Sequence, residues 1–291
     1  RNANRMEEVF SNFHPNIVYH AAAYKHVPMM ELSPSEAILT NVGGTKTIAD
    51  LSLKYKVNRF VMVSTDKAVN PTNVMGASKR LAEMYVQQLA STAQHQTKFI
   101  TTRFGNVLGS NGSVILRFRD QIAKGGPITV THPNIIRYFM TIPEATQLVL
   151  EAGSMGKGGE IFVFDMGKPV PIVDLARKMI RLSGLVPNVD IEIKYTGLRP
   201  GEKLYEELLS DAENTLPTHH EKILIAKVRE AAVNNLEQEF LELFQLASSA
   251  DNIMSMVAKM KELVPEFLSN NSVFEQLDGN NATVVSINKV G

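Results

Sequence analysis

The 291-residue chain contains no cysteine. That removes disulfides, thiolate nucleophiles and cysteine-ligated zinc together. It carries no net charge, because 30 Lys and Arg balance 30 Asp and Glu. A partner captured through phosphate charge, nucleic acid above all, is therefore not expected. No apolar run reaches the roughly 18 residues of a membrane-spanning helix. The seven histidines show no HExxH spacing, although His219 and His220 are adjacent, and no metal site is expected. One further lack matters more. Nowhere does a strand lead into G-x-G-x-x-G or G-x-x-G-x-x-G and then a helix; "GKGGEIF" (156–162) comes before a strand and reads as a turn. That first turn is where an α/β protein of this type holds a dinucleotide pyrophosphate. Either no dinucleotide is used, or the first half of the sheet lies upstream of residue 1. The chain opens on Arg1, with no signal peptide, and "RNANRMEEVFSNF" already reads as a helix start, so a longer parent is expected.

What remains is a chain with 44% hydrophobic and 21% charged residues, ordinary for a globular protein and enough for one large domain or two intimate ones. Short apolar runs alternate with helical spacing. "NIVYHAAA" (16–23), "RFVMVST" (59–65) and "KFITTRFGNV" (98–107) read as strands, and 33–55 and 76–93 as helices. Such alternation implies parallel strands joined by right-handed crossovers. Shorter pieces follow: helices near 113–124 and 172–183, strands near 127–131, 160–165 and 190–197. An amphipathic helical stretch spans 234–269, before a polar tail. The Met29–Met30 pair reads as core.

The chemistry-bearing stretch is "STDKAVNPTNVMGASKR" (64–80). Ser64, Thr65, Asp66 and Lys67 directly follow a strand, and the carboxyl ends of strands line the ligand crevice of a doubly wound sheet. Lys79 lies one helical turn after Met75, so both share a face. Two lysines, a carboxylate and two hydroxyls then converge, and converging charges perturb one another's pKa.

This stretch, with "HAAAYKHVPMME" (20–31), "TNVGGT" (40–45), "RFGNVLGSNGSV" (103–114), "RYFMTIPEA" (137–145) and "GLRPGEKLYEELL" (197–209), resembles extended short-chain dehydrogenase/reductases acting on nucleotide sugars. Within them it is similar to the CapD-like polysaccharide-biosynthesis family of UDP-N-acetylglucosamine 4,6-dehydratases, over about residues 5–268. Met75 stands where the wider superfamily has a catalytic tyrosine, a feature of the family's large membrane-anchored members. The resemblance implies a Rossmann-like, doubly wound parallel sheet lacking its first strands. A smaller interleaved substrate-binding part and C-terminal helices complete it. Residues 1–107 and 138–168 would form a partial NAD-binding part, 108–137 and 169–232 a nucleotide-sugar-binding part, and 233–291 a helical extension that covers the core or contacts another copy.

The implied cofactor is NAD and the implied substrate a UDP-N-acetylhexosamine. Oxidation at C4 acidifies the C5 proton, water leaves across C5 and C6, and hydride returns to C6. Lys67 is the candidate base, its pKa lowered by burial or by Lys79, and Asp66 the candidate acid. Thr65 hydrogen-bonds the C4 hydroxyl, Met75 excludes water, and Lys79 holds the nicotinamide ribose. Ala21, Ala22, Ala23 and Gly105 let the cofactor approach the backbone, while Lys25 and Asn106 face the sugar and diphosphate with bare loop amides beside them. Arg199 grips the diphosphate and Glu202 a ribose hydroxyl. Arg137 is either a second phosphate contact or a surface salt bridge, and Asn41 either braces the site or is solvated. The intact protein is expected at the cytoplasmic face of a bacterial inner membrane, anchored by a segment outside this chain, and oligomeric. The strand at 16–23 should lie at an exposed sheet edge, and this chain alone should bind NAD poorly. A UDP-sugar 4-epimerase and a catalytically silent binding module are the competing readings.

Overall fold

The computed structural model describes residues 1–92, 95–206, 215–227, 235–249 and 253–279. Helix α1 (Ala3–Phe13) starts where the Asn2 side chain accepts from the Arg5 amide at 3.0 Å and ends where His14 turns left-handed. Strand β1 (Ile17–His20) follows, then α2 (Val27–Leu32) and α3 (Pro34–Ala37). A π-helical turn (Ile38–Val42) leads into α4 (Gly43–Lys54). β2 (Arg59–Val63) ends in a 3₁₀ turn (Asp66–Ala68), and α5 (Val74–Ser91) returns the chain to β3 (Lys98–Arg103). A smaller lobe interleaves β4 (Asn106–Val107), α6 (Val114–Ala123), β5 (Ile128–Val130), β6 (Ile136–Arg137) and β7 (Phe139–Met140). After α7 (Ile142–Met155) and β8 (Ile161–Phe164), that lobe resumes with β9 (Val170–Pro171), α8 (Ile172–Leu182) and β10 (Ile193–Tyr195). β11 (Thr215–Pro217), β12 (Ile223–Ala226), α9 (Leu236–Ser248) and α10 (Ile253–Leu263) complete the described elements, with a 3₁₀ turn at Val273–Leu277.

The main sheet runs β1-β2-β3-β8-β12-β11. Its first four strands are parallel, and β12 and β11 are antiparallel. β2 and β8 read as continuous apolar runs because both faces are covered. On one face Val61, Ile100 and Phe162 meet Leu148 and Ala152 of α7. On the other, Phe60, Met62 and Phe99 share a core with Ala49 of α4 and Leu81 of α5. α9 and α10 form a further layer there: Phe240, Leu243, Met256 and Met260 join that core, and Tyr85 stacks on Phe240 at 5.7 Å. The C-terminal helices thus cover the core, one of the two roles the sequence left open. The smaller lobe has its own core of Phe118, Ile128, Ile172 and Ile180. β1 stands at the sheet edge with Ile17 and Tyr19 exposed. Among the described residues, no helix is long and apolar enough to cross a membrane.

Three expectations change. The stretch at 142–155 is a helix that the sequence reading passed over. Its start signals are present: Thr141 accepts from the Glu144 amide, with Pro143 in the first turn. The sheet's antiparallel outer strands were also missed, because β11 and β12 are too short to show a period. Of the methionine pair, only Met30 is core, and Met29 is exposed.

Candidate active site

Two backbone segments meet at the carboxyl end of β2. Thr65, extended, caps the Asp66–Ala68 turn by accepting from the Lys67 amide at 3.4 Å. Helix α5 begins beside it with two caps: Asn73 accepts from the Gly76 amide and Glu31 from the Val74 amide, both at 2.8 Å. The helix sits directly on the turn. A Cβ at Gly76 would lie 2.2 Å from the Lys67 carbonyl oxygen, so only glycine fits. Met75 and Lys79 are thereby locked against Lys67.

A line of alternating charge runs from this turn. Thr65 Oγ1 donates to Asp66 Oδ1 at 2.7 Å, and Lys67 Nζ lies 3.0 Å from the same oxygen. Lys67 Nζ is also 3.1 Å from Glu206 Oε1, which is 3.2 Å from Arg137 Nε. Arg137 continues to Glu202 at 3.6 Å, and Glu202 to Arg199 at 3.4 Å. Burial alone would lower the Lys67 pKa, but the Asp66 and Glu206 carboxylates outweigh it and the pKa is raised. The lowered Lys67 pKa expected from the sequence is therefore corrected. For Glu206, burial is outweighed by Lys67 and Arg137, which hold its pKa below the usual range.

The lowered pKa belongs to Lys79 instead. Its ammonium donates to the Val63 carbonyl at 2.8 Å, and burial, opposed by Glu83, pushes its pKa down to about 8. Nearby His20 contacts Thr45 at 2.9 Å, and burial with the Lys79 charge takes its pKa down to about 4. Beneath them Glu83, fully buried, pairs with Arg103 (Nε–Oε1 2.8 Å) and with Arg80 at 3.6 Å. Asn41 is buried, not solvated: it accepts from the Tyr24 amide at 2.8 Å and donates to the Tyr24 carbonyl and Ser78 Oγ. The π turn that carries it thus ties the 21–26 loop to α5.

These groups surround one crevice of about 470 Å³, within the range of small-ligand sites. Thr65, Lys67, Met75 and Lys79 line it, with Ala21, Ala23, Lys25, Gly105, Asn106, Arg137, Arg199 and Glu202. Two predicted members do not. Ala22 is exposed outside the lining, one residue out of step with its neighbours. Asp66 is buried behind the wall, where its carboxylate meets the crevice-lining Thr65 and Lys67 and lies against Gly105. The loop amides are not all bare: the Gly105 N–H faces Met166 Sδ at 3.3 Å, and Asn106 donates to the Tyr138 carbonyl. Arg137 is a half-buried ion-pair partner rather than a surface one, and it also donates to the Ile136 and Lys203 carbonyls. Arg199 is half-exposed. Glu206 was missed, although its motif was read, because only a folded chain brings it to Lys67. A surface hollow of about 670 Å³ over α7, lined by Glu144, Glu151 and Lys222, holds none of these groups.

Residues 1–228 match the family described as "Polysaccharide biosynthesis protein". The chain is similar to the capsular polysaccharide biosynthesis protein CapD of Staphylococcus aureus, 58% identical over 228 residues, covering 78% of this chain and 38% of that protein. It is 48% identical over 203 residues to the "Uncharacterized membrane protein MJ1061" of Methanocaldococcus jannaschii, covering 68% of this chain and 60% of that one. It is 40% identical over 199 residues to a UDP-glucose 4-epimerase of Rickettsia rickettsii, covering 68% and 57%. The chain thus spans less than two thirds of the length of each of these relatives. Among solved structures it resembles Pen from Bacillus thuringiensis, with a TM-score of 0.71 and 34% identity over 84% of this chain and 79% of that one. The dTDP-glucose 4,6-dehydratase DesIV of Streptomyces venezuelae, solved with NAD, shares the fold at a TM-score of 0.64 and 19% identity, covering 71% of this chain and 68% of that one.

Proposed function

Because this chain belongs to the polysaccharide biosynthesis protein family, we propose that it carries the active-site half of an NAD-dependent nucleotide-sugar 4,6-dehydratase acting on UDP-N-acetylglucosamine. The observation that carries this reading is the Asp66–Lys67 ion pair beside a crevice whose superfamily tyrosine position is Met75. In this reading, residues 1–107 and 138–168 serve the cofactor, and 108–137 and 169–232 serve the sugar nucleotide.

The residues present fit the nicotinamide end of NAD. Ala21, Ala23 and Gly105 make a small-walled strip, and Lys79 stands fixed at the Val63 carbonyl. NAD supplies there the acceptor for the C4 hydrogen and its return to C6. Thr65 bonds the C4 hydroxyl and passes its proton on to water, because the Asp66 carboxylate, to which Thr65 donates at 2.7 Å, must stay free to take the Lys67 proton. The elimination needs a neutral base and a neutral acid. One proton moved across the 3.0 Å Lys67–Asp66 bond produces both: Lys67 then takes the C5 proton, and Asp66 protonates the departing C6 hydroxyl through Lys67 or Thr65. Glu206 opposes that transfer by stabilising the cationic lysine. Met75, buried and apolar, excludes water from the reacting carbons. Arg199 grips the diphosphate at the crevice mouth, where Glu202 now occupies it. The membrane-protein name of the M. jannaschii relative supports a membrane setting for the intact enzyme.

A 4-epimerase is the second reading, favoured by the name of the Rickettsia relative. One experiment separates the two: intact protein, UDP-N-acetylglucosamine and NAD in deuterated water, followed by NMR. The dehydratase yields a 4-keto-6-deoxy sugar carrying deuterium at C5. An epimerase yields the C4 epimer with C5 unlabelled, and that result refutes the elimination.

A further inference from the structure

The family match ends at residue 228, yet a segment beyond it braces two loops that line the crevice. After α10, residues 264–279 run past the 71–73 and 198–202 loops. Phe267 and Phe274 are sunk in the main core at its two ends. Lys261 shapes the span between them, donating to Ser269 Oγ at 2.8 Å and to the Phe267 carbonyl at 3.3 Å, with its ammonium 4.0 Å above the Phe267 ring.

The middle of this strap bonds to two adjoining loops that line the site. Leu268 N–H donates to the Pro71 carbonyl at 3.1 Å, and Asn270 N–H to the Thr72 carbonyl at 3.2 Å. On its other side Asn270 accepts at its carbonyl from the Gly201 amide at 2.7 Å, and its side chain donates to the Glu202 carbonyl at 3.0 Å. Asn271 Nδ2 reaches the Leu198 carbonyl at 2.7 Å, and Ser272 Oγ donates to Glu31, the acid that caps α5. The 71–73 loop, which leads into Met75 and Lys79, and the 198–202 loop, which carries Arg199, already touch where Asn73 Nδ2 donates to the Gly201 carbonyl at 3.0 Å, and Asn270 ties the two together a second time. Gly201 makes the approach close: it is left-handed, and a Cβ there would lie 2.6 Å from Asn73 Cβ.

We propose that residues 267–272 are a positioning strap. In it, Asn270 and Asn271 fix the Arg199 loop against the start of α5 and so set where a nucleotide diphosphate sits relative to Lys67. This rests on the reading of Arg199 as the diphosphate grip. The strap residues do not touch the reacting carbons, and they act through the loop they hold.

The test is titration of the chain with UDP by calorimetry and with uridine by NMR, using the Asn270→Ala/Asn271→Ala variant alongside Arg199→Ala. If the strap aims Arg199, the double variant loses about tenfold in UDP affinity, the effect of two weakened hydrogen bonds. It keeps its uridine affinity within twofold. Arg199→Ala shows the same pattern. If Arg199→Ala weakens UDP and the double variant does not, the strap proposal falls while the diphosphate reading stands. If both ligands weaken equally in the double variant, the strap is only structural and the proposal is overturned. If Arg199→Ala leaves UDP binding unchanged, or the chain binds no UDP, the diphosphate reading fails and the strap proposal with it. Asn271→Ala alone removes one side-chain bond and repeats the test should the double variant not fold.

Discussion

Replacing Gly76 by alanine adds one methyl group to the point where α5 rests on the 66–68 turn. The new Cβ would lie 2.2 Å from the Lys67 carbonyl oxygen and 3.0 Å from its carbon, some 1.2 Å inside the 3.4 Å at which ordinary contact begins. Neither atom belongs to a side chain that could swing aside. The helix must lift by about 1 Å, although its first amides are held by Asn73 and Glu31. Alanine returns about 1 kcal/mol of helix propensity. Overpacking costs about 1–3 kcal/mol when side chains can adjust, and two backbone contacts place this case at or above the upper end. A net loss of about 2 kcal/mol should lower Tm by roughly 4–8 °C at this chain length. The same lift separates Met75 and Lys79 from Lys67, and a misplacement of about 1 Å costs on the order of 100-fold in turnover. Gly44→Ala is the control, since a Cβ there meets nothing within 4 Å; it should be neutral or stabilising by about 0.5–1 kcal/mol. Thermal melts of both variants and turnover of the intact enzyme decide it. A Gly76→Ala protein that melts and turns over like wild type would refute the close-contact reasoning.

Two further outcomes concern charge. His20 has its pKa held at about 4 against an ordinary 6.5, so between those values the unfolded chain binds a proton that the folded one refuses. Stability from this group is complete above about pH 6.5 and falls by up to about 3 kcal/mol as pH drops toward 4; urea melts of His20→Gln should show a flatter slope across that window, and an unchanged slope would contradict the assignment. Lys79, cationic at pH 7 although burial sets its pKa at about 8, costs the fold stability. Lys79→Met should raise stability by about 1–2 kcal/mol, less than the full shift because the Val63 carbonyl loses its donor, while abolishing turnover. A destabilised Lys79→Met protein would show that the Val63 and Glu83 contacts outweigh burial.

Much of the site's frame was legible in the sequence, because it is local. A strand, a Thr-Asp-Lys turn and a helix start follow one another within seventeen residues, and their order alone puts Thr65, Lys67, Met75 and Lys79 on one crevice. What was not legible came from far along the chain. The charge state of Lys67 is set against burial by Asp66 and by Glu206, and no local period ties Glu206 to it. Asp66 turned into the protein because Lys67 and Thr65 both donate to it, a choice the order of letters does not encode. Asn41 read as ambiguous because its partners, Tyr24 and Ser78, belong to a loop and a different helix. The antiparallel outer strands escaped because three or four residues carry no measurable alternation.

The π turn at Ile38–Val42 has a consequence for the helix that follows it. An extra residue within one turn shifts the angular phase of everything downstream by about 100°. The apolar stripe of α3 and that of α4 are therefore out of step in sequence yet aligned in space, with Ala37 and Ala49 in one core. Removing a single residue from 38–42 would regularise the hydrogen-bond ladder and misdirect a whole helix. Either Asn41 would leave Tyr24, or Ala49 and Leu51 would rotate out of their cores. A deletion that improves the helix as a helix is thus one the protein cannot absorb.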